Sequence, residues 1–151
     1  MAPEPALSLR AEDAADLAVI SACLQDALVV VSDLSYDRAA RSFVLVANRF
    51  RWEGSSMPAA EPTGYQRTLC AVAFSEVDAV AYRGFRRSGR DRILSLLAVR
   101  PQGNGAGTMI DLDFSGGAAI RLKVAAIRCH ARDIGEPWPT AWQPAHPEDV
   151  P

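Results

Sequence analysis

Arginines are the residues of this chain best grouped to do chemistry. Arg83, Arg86, Arg87, Arg90 and Arg92 fall within ten residues, interleaved with Tyr82 and Phe85 and opposed only by Asp91. Guanidinium forks beside aromatic rings can grip phosphate, nucleic acid or an acidic protein surface. A solvated loop has the same composition, and the acidic N-terminal third could neutralise it within the molecule. A second group, Asn48, Arg49, Arg51 and Trp52, ends a largely apolar stretch. Polar side chains there either form a site or close the rim of a sheet.

Other reactive types are sparse. Asp111 and Asp113 stand two apart, a spacing that puts both carboxylates on one face of a strand, where they could hold a cation or exchange protons. Arg121 and Lys123 are predicted to lie across the hairpin, and cross-strand ion pairing accounts for the acids more simply. His130 and His146 are the only histidines, and neither Cys-x-x-Cys nor His-Glu-x-x-His occurs, so no zinc site is expected. Cys23, Cys70 and Cys129 are odd in number and lie in apolar contexts, which reads as buried free thiols in a reducing cytoplasm. No Gly-x-Ser-x-Gly elbow and no phosphate-cradling loop is present. Gly103-Asn104-Gly105-Ala106-Gly107 precedes a strand and reads as a turn. These observations predict no catalytic residue, no metal, no cofactor and no enzyme.

The elements that must position the arginines follow from period. Leu17, Ile20, Leu24, Ala27 and Leu28 recur at helical spacing, with Asp13 as N-cap and Asp16 three residues on. From Val29 to about Tyr36 the residues turn β-branched and alternate, predicting a strand. After a turn at 37–41, Ser42 to Trp52 returns as a second strand. Phe43, Leu45 and Ala47 share one of its faces, and Val44, Val46, Phe50 and Trp52 share the other. Both faces are apolar, so both are expected to be covered, one by the rest of the sheet and the other by a helix. Further strands are predicted at Leu7 to Leu9, at Gln66 to Ser75 and Val77 to Tyr82 (two strands, or one long strand bent at Ser75-Glu76), and at Ile93 to Arg100, the last stopped by Pro101.

The hairpin at Gly116-Gly117 has alternatives of register. A two-residue loop would set Asp113 against Ile120, placing carboxylates beside core residues. A three-residue loop, Gly116-Gly117-Ala118, pairs Phe114 with Ile120 and Leu112 with Leu122, and sets Asp113 opposite Arg121 and Asp111 opposite Lys123. The second register is the expectation. Val124, Ile127, Ala131 and Ile134 then return to helical spacing, with Gly135 as a C′ residue and Pro137 beyond it, predicting a short C-terminal helix over continued strand.

A chain of 151 residues with net charge −2 fits one domain, residues 1–151, with an ordinary globular composition. Gly54 to Gly64 reads as a loop long enough for partial disorder, and 136–151 as an extended Pro- and Trp-bearing tail. Neither a membrane-spanning apolar run nor a secretory leader is visible, so a cytoplasmic protein away from membranes is expected. The predicted fold is α+β: a mostly antiparallel curled sheet or partly open barrel of about seven strands, with one N-terminal helix and one short C-terminal helix, an order like that of pleckstrin-homology rolls by analogy alone.

The run Asp16 to Ala27, the Asn48 to Glu53 segment, Gly116 to Leu122, and the tail with Trp138 and Pro144-Ala145-His146 together resemble a small alphaproteobacterial family of unknown function. The resemblance covers nearly the whole chain and implies no activity. The expected function is therefore a non-catalytic interaction or regulatory module with a protein partner. The alternative is a domain for an anionic ligand (phosphate, nucleotide or nucleic acid) held by the Arg83 to Arg92 loop, and self-association is kept open.

Overall fold

The computed structural model describes residues 7–51, 66–103 and 107–139. Strand β1 (Ser8–Ala11) leads directly into helix α1 (Ala14–Cys23). The Asp13 carboxylate accepts from the Asp16 amide at 2.8 Å, and the Asp16 carboxylate reaches back to the Glu12 amide at 3.4 Å. Those two bonds satisfy amides left open in the first turn. Leu17 and Ile20 are fully buried, and Leu24 is buried just beyond the helix. Each such side chain stabilises the fold by roughly 1.5–3 kcal/mol.

The remaining strands are β2 (Leu28–Val30), β3 (Ser35–Asp37), β4 (Ser42–Phe50), β5 (Gln66–Phe74), β6 (Val77–Arg83), β7 (Ile93–Gln102), β8 (Thr108–Phe114), β9 (Ala119–Val124) and β10 (Cys129–Pro139). They form one antiparallel sheet of ten strands in the order β1-β10-β5-β4-β2-β7-β8-β9-β6, with β3 pairing β4 beside β2. The sheet curls around one core built from Leu17, Ile20, Phe43, Leu45, Val72, Phe74, Leu96, Leu112 and Ile120, among others. Edges β1 and β6 do not pair with each other. Helix α1 packs on β7 and β1, with Leu17 and Ile20 in the core. Where β7 bulges between Leu96 and Ala98, the Ser21 hydroxyl accepts from the Val99 amide at 2.9 Å.

Mostly antiparallel architecture with an N-terminal helix agrees with the sequence, but three expectations are corrected. Among the described residues there are ten strands rather than about seven. One cause is that the predicted Val29 to Tyr36 strand is broken by a 3-10 turn at Val31–Asp33. The second correction is the C-terminal helix, for which the described residues hold a strand instead. Cys129, Ala131 and Asp133 alternate inward, and β10 bonds to β1 on one side and β5 on the other. A segment between two unpaired edges gains two ladders of hydrogen bonds as a strand and would leave both edges open as a helix. Gly135, read as a helix cap, sits with φ 71° at the irregularity between Ile134 and Trp138 in that strand.

The third correction concerns the hairpin register. Asp111 lies opposite Arg121, Leu112 opposite Ile120, and Asp113 opposite Ala119. Gly116 and Gly117 both take positive φ, 76° and 83°, and the turn is closed by the Phe114 amide on the Ala118 carbonyl at 2.9 Å. The loop therefore holds three residues as expected, but they are Ser115-Gly116-Gly117 rather than Gly116-Gly117-Ala118, because the two left-handed positions fall on the glycines as its second and third residues. The faces survive, since a shift of two residues keeps apolar side chains in the core, but only Asp111 still lies opposite a base; Asp113 reaches Arg100 across β7 instead. Pro101 does not end β7: it pairs with Ile110 within the strand.

Candidate functional site

Arg83 closes β6, and the connection to β7 carries the other four loop arginines. Gly84, at φ 80°, lies so close to the β8–β9 turn that a Cβ there would meet the Gly117 carbonyl at 2.6 Å. Only glycine lets the connection rest on that turn. Two further tethers fix it from behind: the Ser32 amide donates to the Arg90 carbonyl at 3.0 Å, and the Val31 amide to the Arg92 carbonyl at 2.9 Å. The Gly89 amide reaches the Arg86 carbonyl and the Arg92 amide the Gly89 carbonyl, so the segment is a sequence of tight turns.

Those turns bring the predicted side chains together. Tyr82 and Phe85 meet edge to face with ring centroids 5.7 Å apart. The Arg87 guanidinium lies over the Tyr82 ring, 4.8 Å from its centroid, a cation–π contact. Burial raises the Tyr82 hydroxyl pKa above its ordinary value, against the opposing pull of Arg87. Arg92 donates to the Gly84 carbonyl at 3.2 Å. Gly84, Phe85, Arg86, Gly89 and Arg92 surround an open cavity of about 430 Å³.

A second cavity of about 320 Å³ adjoins it on the outer face of the sheet, lined in part by Tyr82, Arg83, Arg100, Arg121 and Asp111. Its floor is laid out by register. One row runs Arg100, Asp111, Arg121 and Ala81 across β7, β8, β9 and β6. The next runs Ala98, Asp113, Ala119 and Arg83. Arg121 grips Asp111 through Nε at 2.7 Å and Nη2 at 2.9 Å, and Arg100 bonds Asp113 diagonally. The Arg121 hydrogen bonds hold the Asp111 carboxyl below its ordinary pKa, more than offsetting the upward push of burial. Sequence reasoning found the loop but missed Arg100 and Arg121 as its neighbours, since only the pairing of β7, β8 and β9 puts them beside it.

The second predicted group is not brought together. Asn48 points out of the sheet, where its side chain and carbonyl take Arg67 at 2.6 and 2.9 Å. Arg49 points in and is wholly buried, meeting Asp133 through Nε at 2.8 Å and Nη2 at 2.7 Å. Asp133 also accepts from the Leu7 amide at 2.9 Å. Burial pushes that carboxyl upward, but the Arg49 and Leu7 hydrogen bonds and the charges of Arg49 and Arg51 hold it below its ordinary value. Arg51 donates to Gln66 at 2.5 Å. Trp52 lies outside the described residues, as do His146, Trp142 and the predicted loop 54–64. The Arg49–Asp133 pair spans β5 to tie β4 to β10 and the approach to β1, which is a structural clasp.

Burial lifts the Cys70 thiol to about 12, with Asp133 adding to the effect, and lifts Cys129 likewise to about 12. All three cysteines are free, with Cys23 half-buried. Among the described residues no group of three or more His, Cys, Asp or Glu is placed to hold a metal ion, and no helix is long and apolar enough to cross a membrane.

Residues 7–146 match the family described as a protein of unknown function (DUF2948), and the chain belongs to that family. No curated protein and no solved structure gives a significant match.

Proposed function

We propose that this protein is a non-catalytic binding module whose recognition face is the β6–β7 connection and the adjoining outer face of β7, β8, β9 and β6, and whose partner is an acidic protein surface. The observation that carries the reading is the ordered aromatic and arginine cluster: Arg87 stacked on Tyr82, Phe85 against the same ring, and Arg86 and Arg92 around the adjacent cavity. Guanidinium groups held in this way lose less freedom on binding than those of a free loop. Two shallow cavities side by side form a long face, which suits an extended acidic partner better than one small anion. Asp111 and Asp113 sit within that face and are neutralised by Arg121 and Arg100, leaving Arg83, Arg86, Arg87 and Arg90 to set its sign. A phosphate-bearing ligand is the second reading, favoured by the cavity that Arg86 and Arg92 share.

Replacing Arg86, Arg87 and Arg90 together with Ser tests both. Poly-glutamate, inorganic phosphate and RNA serve as probes, titrated at several salt concentrations. The proposal expects the parent to bind poly-glutamate with an affinity that falls as salt rises, and the variant to bind at least tenfold more weakly with a shallower salt dependence. Preferential binding of phosphate or RNA would transfer the site to the second reading. Equal binding by parent and variant would return the loop to simple solvation.

A further inference from the structure

The opposite half of the sheet's outer face has a different character, and the registers lay it out. One row crosses Arg10, His130, Ala73, Val44 and Ser35. The next crosses Ser8, Arg132, Ala71 and Val46. A third crosses Ile134, Leu69, Asn48, Leu28 and Ser95. The centre of this face is apolar, with Val44, Val46, Ala71 and Ala73 partly exposed and Leu69 38% exposed. Its margin on β1 and β10 is basic. An antiparallel sheet that faces water on one side alternates apolar with polar side chains, and β4 does not: Val44 and Val46 face out between inward Phe43, Leu45 and Ala47. No helix among the described residues lies on that side.

Helix α1 presents the converse. Its sequence, AADLAVISAC, holds one charged residue. Leu17 and Ile20 face the core, while Ala15, Ala18, Val19 and Ala22, spaced i, i+3, i+4 and i+7, are exposed, Val19 by 53%. A helix apolar on both sides is normally buried on both. Glu12, Asp13 and Asp16 make its first turn acidic.

We propose that a second copy of this chain covers the face: α1 of each protomer lies across β4 and β5 of the other, with Val19 and its alanine neighbours on Val44, Val46, Ala71 and Ala73, and with Glu12 and Asp16 against Arg10 and Arg132. Helix on sheet is a standard layer arrangement, and alanines on both surfaces permit close approach. Charge complements charge, since the acidic end of the helix meets the basic margin of the sheet. Because β1 runs directly into α1, the helix and the basic margin adjoin within each protomer. Arg10, Glu12 and His130 even line one cavity of about 290 Å³ at that junction. Adjacent complementary patches are what a closed, reciprocal two-fold contact requires. None of these residues belongs to the arginine face, so this dimer stands or falls separately from the function proposed above.

Sedimentation equilibrium of the full chain tests it, across a concentration series and with circular dichroism to confirm folding. The parent should be a dimer. Val19→Glu on the helix and Val46→Glu on the sheet should each raise the dissociation constant at least tenfold, whereas Ala39→Glu in the exposed β3–β4 turn should leave it unchanged. Asp16→Arg and Arg132→Asp should each weaken the homodimer, and equimolar mixing of those two variants should recover association, since in the mixed dimer one pair is charge-swapped, the other is native, and both are complementary. A parent monomeric throughout the series, as when another segment or a different protein covers the face, would overturn the proposal. So would a dimer indifferent to either Val variant.

Discussion

A buried arginine is the residue-scale feature with the clearest energetic consequence. Arg49 has no exposure, and its charge is balanced by Asp133. Removing one partner leaves the other ionised in the core, so Asp133→Ala should destabilise by about 3–5 kcal/mol in chemical denaturation, and Arg49→Met with Asp133→Leu together should recover most of that loss. The same pair sets an acid limit. Because the folded Asp133 carboxyl lies below its ordinary value, its contribution is complete above the unfolded pKa of about 4 and disappears as pH falls through the lower folded value. Acid titration of the double variant should therefore show a shallower fall in stability than the parent. Cys70 and Cys129 set the opposite limit. Between the unfolded thiol pKa of about 8.5 and the folded value of about 12, the unfolded chain ionises and the folded chain does not. Stability should fall with rising pH in that window, less steeply in Cys70→Ala. The burial of Cys70 and Cys129 was legible from their apolar contexts, but the Arg49–Asp133 pair was not. Arg49 read as a site residue, and only the arrival of β10 beside β5 supplies its carboxylate.

Single elements show how far periodicity carries and where it stops. The core face of α1 at Leu17 and Ile20 and the alternation of β4, β8 and β9 are local patterns that the sequence predicts. The helix, however, ends at Cys23, and Leu28 of the same expected stripe belongs to β2. The helix expected over the Val44 and Val46 face is not found among the described residues. The β8–β9 register depends on the backbone of two glycines, and alternation alone fixes only whether acids face bases, not which acid meets which base. A double-mutant cycle distinguishes the alternatives. Asp111 and Arg121 should show measurable coupling in thermal or urea unfolding, and Asp113 should couple to Arg100 instead. Coupling of Asp113 to Arg121 as strong as that of Asp111 would contradict the observed register. Strand β10 was misread because Val124, Ile127, Ala131 and Ile134 fit a helix as well as Cys129, Ala131 and Asp133 fit a strand. The decision rests with β1 and β5, more than a hundred and more than fifty residues away in the chain respectively. Arg100 and Arg121 join the arginine loop for the same non-local reason.

At the scale of the whole molecule the decisive feature is that β10 joins the beginning and middle of the chain. It pairs with β1 through Ser8↔Arg132 and with β5 through Ala131↔Val72, while α1, emerging from β1, packs on β7. Every part of the core therefore touches an element that depends on another distant in sequence, so local opening is costly and folding is dominated by non-local closure. The two buried thiols report on this directly, because Cys70 lies in β5 and Cys129 in β10. If the sheet opens as one unit, the free energy that limits labelling of each by a thiol reagent should be the same, and equal to that for unfolding in urea. Deleting β1 should bring both down together, since it unpairs one edge of β10 and removes the Leu7 amide from Asp133. Faster labelling of Cys129 than of Cys70 in the full chain would show that β10 detaches as an independent unit. The molecule would then be a stable curled sheet with a removable edge.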